Sequence, residues 1–496
     1  MYKALTSNIE KNDPFKFYFG LITSLIVCTG IFLSYIHLGE LKTDGSIFSA
    51  VALKDLSGGV LYVNAWENKP PGIFYLIELF FIIIPNPIYA VFTLAYVSFI
   101  ATSFCLYTII LNNVKSYIAG ILFTSIAIFF TMYGNNIGDG LCTEIHGTLS
   151  ILISMVFFMA FQNSPKSIYL IVSSISLGFS FWFKEPFIFV FIALFIINIR
   201  LIKIKKEKII YTLSAILPSI FFIVLLYFQN SLHGYIDSIK YNFTYLNIDE
   251  PISLKVKIND LYSNLIHPIL TAVLFFTYLA YKTLLNKKTS GETLAQLIFL
   301  ISTGIIFGLS PHNFGHYYYP TFTLIFVVFS KIYALYFEAF NIKLTWPLIL
   351  ICIYTLYRID ERQKPNLTFE IKPMVSDKFV KYLKGNQGKT LFVDYVVKGD
   401  YYIKSGLIYP SFLPIALPIH FGENLSGIEN RNRIWKELSK NPPDFLITTY
   451  TNSYFSWFLP DSKFYENNYF KIDSIQPEND NVLYLWKYKS SPLIVR

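Results

Sequence analysis

Charged residues are scarce. They make up 15% of this 496-residue chain, against about 25% in a typical soluble globular protein. The deficit is concentrated in apolar runs of roughly 16–25 residues, long enough to cross a hydrocarbon core about 30 Å thick as helices. A soluble core would show shorter, interrupted periodic segments, so the first 360 or so residues are excluded from that class. Cysteine is scarce too. Cys28, Cys105, Cys142 and Cys352 have no metal-ligand spacing. Three lie in or beside apolar runs, where a free thiol behaves as a small hydrophobe, so packing is favoured over a disulfide framework. There is no glycine-rich phosphate loop, no internal repeat and no low-complexity tract. The run Phe17–Ile36 lacks an A-x-A cleavage site, which predicts a retained first transmembrane helix rather than a signal peptide.

What is present is 54% hydrophobic and 18% aromatic residues. The apolar runs predict eleven spans: 17–36, 88–111, 117–133, 144–162, 167–183, 186–199, 209–228, 264–281, 294–309, 317–335 and 343–357. Lys184-Glu185-Pro186 is a poor mid-bilayer sequence and is placed at the outer end of a helical hairpin. With the amino terminus inside, the inner loops hold about 15 Lys and Arg and the outer loops about seven. That asymmetry sets the orientation and puts the carboxy-terminal part outside. The formal charge of +9 falls in these short loops and does not indicate nucleic acid. Between 37 and 87, the apolar stretch Ile73–Pro85 is about 13 residues long, too short to span, and reads as an interfacial or re-entrant helix. Beyond Asp360 the pattern changes. "KTLFVDYVV", "PDFLITTY" and "NVLYLWKYK" are strand-like, and "ENRNRIWKELSK" is an amphipathic helix. The expected fold is mainly α: a polytopic helical membrane domain over 1–357 and a small α/β extracytoplasmic domain over 358–496. N-x-[ST] sequons at Asn242, Asn366 and Asn424 fall outside in this topology.

Polar residues gather on the outer loops. The first loop offers Asp44, Asp55, Glu67 and Lys69, beside Pro70-Pro71 and Gly72. The second holds Asp139, Glu144 and His146, and the third Lys184 and Glu185. The fifth holds His312, His316 and three tyrosines before Pro320. On composition alone these read equally as one extracytoplasmic site or as independent solvated loops.

The order of these residues resembles the GT-C superfamily of integral membrane glycosyltransferases, and within it the protein O-mannosyltransferase and lipid A aminoarabinose-transferase branch. The resemblance runs over residues 17–340. It comprises an acidic residue after the first span (Asp44), the signature "ENKPPG" from Glu67 to Gly72, and Glu144 opening the fourth span in "CTEIHGTL". It continues with Leu177-Gly178 leading to Lys184, and ends with His316, Tyr317 and Pro320 in "GHYYYP". Two features depart from the family pattern. Gly45 follows Asp44 where many members have a second acidic residue, and Asn68 stands between Glu67 and Lys69.

The resemblance implies sugar transfer from a polyprenyl-phosphate carrier to a glycan, lipid or protein acceptor. The acceptor hydroxyl must lose a proton, the sugar carbon passes through an oxocarbenium-like state, and the phosphate leaves with its charge stabilised. Asp44 is implied as general base, with Glu144 a second catalytic carboxylate that positions the acceptor or anchors the loops. Lys69 is the leading candidate to hold phosphate, with Lys184, His316, Tyr317, Glu67 and Asp139 as further substrate-binding candidates. No cofactor is specified. A divalent metal is compatible with the carboxylates and histidines, but no tight ligand spacing requires one. A transporter or flippase of a lipid-linked glycan is the competing class. It would place charges or broken helices near the midplane, and few are present. An O-antigen ligase or polymerase would concentrate catalysis in a late loop rather than the first.

Overall fold

The computed structural model describes residues 14–35, 41, 43–132, 140–245, eight positions between 319 and 330, 375–394, 400–414, 425–449, 467–476 and 482–489. The chain forms two compact units. One draws on residues 1–36, 96–222 and 251–369, the other on 37–95, 223–250 and 370–496.

The first unit is helical. It is built from α1 (Pro14–Tyr35), the part of α4 (Pro87–Val114) from Tyr96 on, α5 (Tyr117–Met132), α6 (Thr143–Asn163), α7 (Ser167–Phe183), α8 (Phe187–Leu201) and α9 (Lys205–Phe228) up to Phe222. The seven spans expected up to residue 228 therefore each appear as a helix, with ends within a few residues of the expected ones. Three helices among the described residues, α4, α6 and α9, are long and apolar enough to cross a membrane, and five shorter apolar helices accompany them. Leu213, Leu217, Ile220 and Phe221 of α9 stand exposed, a surface that water penalises and lipid accepts. The spans expected at 264–281, 294–309 and 343–357 lie outside the described residues. Within 317–335, only positions such as Tyr319 and Thr323 are described, as helix.

Helix contact in this unit rests on small residues, as expected where lipid supplies no hydrophobic drive between helices. Ser173 of α7 donates to the Ser154 carbonyl of α6 at 2.8 Å. A Cβ on Gly178 would sit 2.3 Å from the carbonyl oxygen of Ala215 in α9, and one on Gly147 would sit 2.4 Å from the Phe187 ring. Near α1, Phe17, Leu21, Tyr107 and Leu111 form a buried cluster. Cys28, Cys105 and Cys142 are buried thiols.

The second unit contains α2 (Thr43–Leu56), α3 (Gly72–Ile83), α10 (Leu232–Tyr245) and a carboxy-terminal α/β region. Helix α3 corresponds to the stretch too short to span: its 12 residues extend about 18 Å. The carboxy-terminal region comprises α11 (Val375–Leu383), β1 (Leu391–Asp394), α12 (Asp400–Ser405), α13 (Leu425–Lys440), β2 (Phe445–Thr449), β3 (Tyr469–Ile475) and β4 (Leu483–Tyr488). The strand order is β1-β2-β4-β3. β1 and β2 are parallel, and the other two pairs antiparallel. A parallel pair needs a long crossover, and residues 395–444 with α12 and α13 supply it. In β4, Leu483, Leu485 and Lys487 are buried while the residues between them are partly exposed, the period of two that defines a one-sided strand. On α13, Ile434 and Leu438 are buried one turn apart. The expected small α/β region and its helix are thus present. β3 and α11 were not anticipated.

The carboxy-terminal region and the first loop pack together within this unit. Lys54 of α2 donates to the Ser411 carbonyl and lies 4.1 Å from the centre of the Tyr409 ring. Burial pushes the Lys54 amine down to about 8, with Glu437 opposing.

Candidate functional site

Asp44 lies in the first turn of α2 and is half-buried. At a helix start the backbone dipole favours a carboxylate. The chain after α2 then turns at Tyr62, whose φ of 64° is left-handed and uncommon for a bulky residue. Its hydroxyl donates to the Lys69 carbonyl at 2.7 Å. Opposite it, Gly234 admits α10 so closely that a Cβ there would lie 2.4 Å from the Tyr62 carbonyl oxygen.

The Glu67-Asn68-Lys69 stretch is therefore held on several sides. Glu67 is buried and accepts the Asn68 backbone N–H at 3.0 Å. Lys69 Nζ donates to Asn68 Oδ1 at 2.8 Å and lies 3.9 Å from Glu67 Oε1. The Asn68 side chain donates to Asn242 Oδ1, and Asn242 Nδ2 returns a bond to the Asn68 carbonyl, both at 2.8 Å. Burial pushes the Glu67 carboxyl up. Lys69 and the Asn68 N–H pull it back, and the charge of Asp44 adds to the upward push. Asp44, Glu67 and Lys69 thus share one electrostatic environment. Asn68 and Asn242 were not among the expected site residues. Asn68 was visible only as an interruption between Glu67 and Lys69, and Asn242 only as a sequon; its amide is engaged with Asn68.

Asp55 and Glu78 form a second acidic pair in this unit, joining α2 to α3. Burial raises both carboxyls; Asp55 pushes Glu78 further up, whereas the hydrogen bond with Glu78 and the Leu61 backbone draw Asp55 back down.

In the helical unit, Glu144 opens α6 and Lys184 caps the end of α7. The two form an ion pair, with side chains 2% and 11% exposed. Thr143 Oγ1 donates to the second Glu144 oxygen at 3.1 Å. Each charge also suits its helix end. Nearby, His146 is buried, with Nδ1 3.3 Å from Ser98 Oγ and its ring 5.6 Å from that of Phe183. The structure therefore brings together Glu67 with Lys69, and separately Glu144 with Lys184. Asp139, His316 and Tyr317 lie outside the described residues. Among the described residues, no three His, Cys, Asp or Glu side chains gather to hold a metal ion.

Residues 68–228 match the dolichyl-phosphate-mannose-protein mannosyltransferase family. The match begins at Asn68, inside the "ENKPPG" signature. Several solved chains share the fold, among them two structures of one protein. One is ArnT from Cupriavidus metallidurans bound to undecaprenyl phosphate, with a TM-score of 0.58 at 10% identity over 94% of this chain and 97% of that one. The other is the same protein in the apo state, with a TM-score of 0.57, 10% identity and the same coverage. No curated protein matches the sequence. The resemblance read from the motifs is borne out by the family match and the fold: a GT-C architecture in a multi-pass membrane protein, and together they support a glycosyltransferase.

Proposed function

We propose that the protein transfers a sugar from a polyprenyl-phosphate carrier to a glycan, lipid or protein acceptor on the extracytoplasmic face. In this reading the amino terminus is inside and the carboxy-terminal domain, from 358 to 496, is outside. The observation that carries it is the grouping of a cation, Lys69, at the start of the family match, with the carboxylates of Glu67 and Asp44. The shared fold with ArnT, a protein solved with undecaprenyl phosphate, supports the choice of donor.

Each group has a task. Lys69 binds the phosphate oxygens of the donor, a charge-assisted contact of the strong class. Its own hydrogen bond to Asn68 fixes the ammonium before substrate arrives, and preorganised charge of this kind stabilises a leaving anion without reorganisation. Asp44 accepts the acceptor's hydroxyl proton as that oxygen bonds to the anomeric carbon. The bond from that carbon to the phosphate oxygen breaks, and its electron pair stays on the phosphate. Glu67, whose carboxyl burial pushes toward the protonated form, is less suited to be the base and instead seats Lys69. Glu144, committed to Lys184, anchors the α6 and α7 ends.

Purified protein in lipid nanodiscs should consume a polyprenyl-phosphate sugar and ignore UDP-, GDP- and CMP-sugars. Asp44→Asn should bind donor but lose turnover by about 10²–10⁴-fold, or roughly 3–5 kcal/mol of barrier. Transfer from a nucleotide sugar without lipid overturns the donor assignment, and wild-type turnover by the Asn variant overturns the base.

A further inference from the structure

The stretch that carries Lys69 is fixed from the carboxy-terminal region through one small set of contacts. Arg433 of α13 makes three at once. Its Nη2 donates to the Val63 carbonyl at 2.8 Å, its Nε donates to Glu437 Oε1 at 3.0 Å, and its guanidinium plane lies 3.8 Å from the Phe412 ring centre. Glu437 uses its other oxygen to accept the Phe412 N–H at 2.8 Å. Phe412 in turn accepts the Trp66 N–H on its carbonyl at 2.9 Å and sets its ring against the indole, centroids 6.3 Å apart. Trp66 packs edge-on to Tyr241 at 5.3 Å. Tyr241 precedes Asn242, the partner of Asn68. Phe412 and Trp66 are buried.

The contacts grip the chain on both sides of a short bulge, at Val63 and at Trp66, and the next three residues are Glu67, Asn68 and Lys69. We propose that Arg433, Glu437 and Phe412 form a latch by which the carboxy-terminal domain positions Lys69, so that this domain tunes donor binding without touching the substrate. The proposal rests on the reading that Lys69 holds the donor phosphate. Arg433 is a positioning residue. Only a planar guanidinium supplies two divergent N–H donors and a stacking face together. A lysine there can keep the Glu437 pair but not all three contacts. A displaced cation still carries its charge but meets the phosphate off its preferred direction, and displacements of about 1 Å are costly at a reacting centre.

The test is a double-mutant cycle on full-length protein in nanodiscs, with a polyprenyl-phosphate sugar as probe. Arg433→Ala should lower kcat/KM for the donor about tenfold, since Lys69 both binds the phosphate and stabilises it as it leaves. Arg433→Lys should recover part of that loss, and Glu437→Gln should give a smaller loss of the same kind. Lys69→Ala alone should weaken donor use severely. In the Lys69→Ala background, Arg433→Ala should add less than about a twofold further effect, because both changes act through one cation. If the two losses multiply, the latch does not act on Lys69 and the proposal fails while the donor reading stands. If Lys69→Ala leaves donor use unchanged, the reading of Lys69 fails and the latch proposal with it. Should Arg433→Ala not yield folded protein, the Glu437→Gln and Arg433→Lys variants carry the same cycle.

Discussion

Removing Lys184 isolates what the Glu144–Lys184 pair does. Glu144 is 1% exposed as a residue, with a side chain only 2% exposed, and its partner's side chain is 11% exposed. Lys184→Ala leaves a carboxylate in that place, where Thr143 Oγ1 donates to it at 3.1 Å. Breaking a buried pair from one side costs about 3–5 kcal/mol, because the residual charge has lost its compensation. The α6 dipole offsets about 0.3–1 kcal/mol of this. At about 2–4 °C per kcal/mol for domains of about 150–250 residues, the apparent melting temperature in detergent should fall on the order of 10 °C. The paired replacement Glu144→Gln with Lys184→Met removes both charges and keeps much of the volume, so most of the loss should return, since apolar substitutes for buried pairs are often neutral. Thermal aggregation followed by size-exclusion chromatography reads both shifts. A Lys184→Ala protein that melts with the wild type, or a double variant no better than the single, refutes the assignment of the pair as an anchor.

Two further outcomes follow from the geometry. Gly178→Ala should cost about 1–3 kcal/mol, since its Cβ would lie 2.3 Å from a backbone oxygen of the facing helix rather than a movable side chain; unchanged melting refutes that close approach. Glu67→Gln should raise the melting temperature at pH 7–8 while impairing transfer. Because burial raises the Glu67 carboxyl in the folded protein, the folded state holds its proton more tightly than the unfolded chain. Stability from this group is complete below the usual carboxylate value and is lost as pH rises through the raised one. The difference between variant and wild type should therefore shrink toward pH 4. A difference that is constant across pH contradicts the burial argument.

Bilayer thickness is why so much of the helical unit was legible. An apolar run must reach across a fixed distance, so 88–111 and 144–162 anticipate Pro87–Val114 and Thr143–Asn163 closely. Nothing comparable constrains α2 and α10, which carry mixed sequences such as "TDGSIFSAVALKDL". In the first loop the stretch Ile73–Pro85 read as a helix, whereas no element was expected at Thr43–Leu56, whose 14 residues also form one. β3 went unread because its exposure follows no clean alternation and it is held at the sheet edge by β4. The strands β1, β2 and β4, with denser apolar and aromatic residues, were readable. In the candidate site, Lys69 and Lys184 stood out through the motif. Glu67 and Glu144 stood out with them, but the pairings did not: the link from Asn68 to Asn242 crosses 174 residues and that from Lys184 to Glu144 crosses 40. Spacing carries no trace of such pairings. Glycine 178 was legible as a motif letter, and the carbonyl of Ala215 supplies its reason.

The bond from Arg433 to Val63 closes a chain interval of 370 residues. At synthesis rates of about 5–20 residues per second, Val63 leaves the ribosome roughly 20–70 s before the arginine that holds it exists. Throughout that interval the bulge at Tyr62–Trp66 has its short-range bonds but lacks its clasp. The order of events on the ribosome thus leaves the stretch that leads to Lys69 without this contact until translation is almost finished, and a nascent chain halted before α13 would remain in that state.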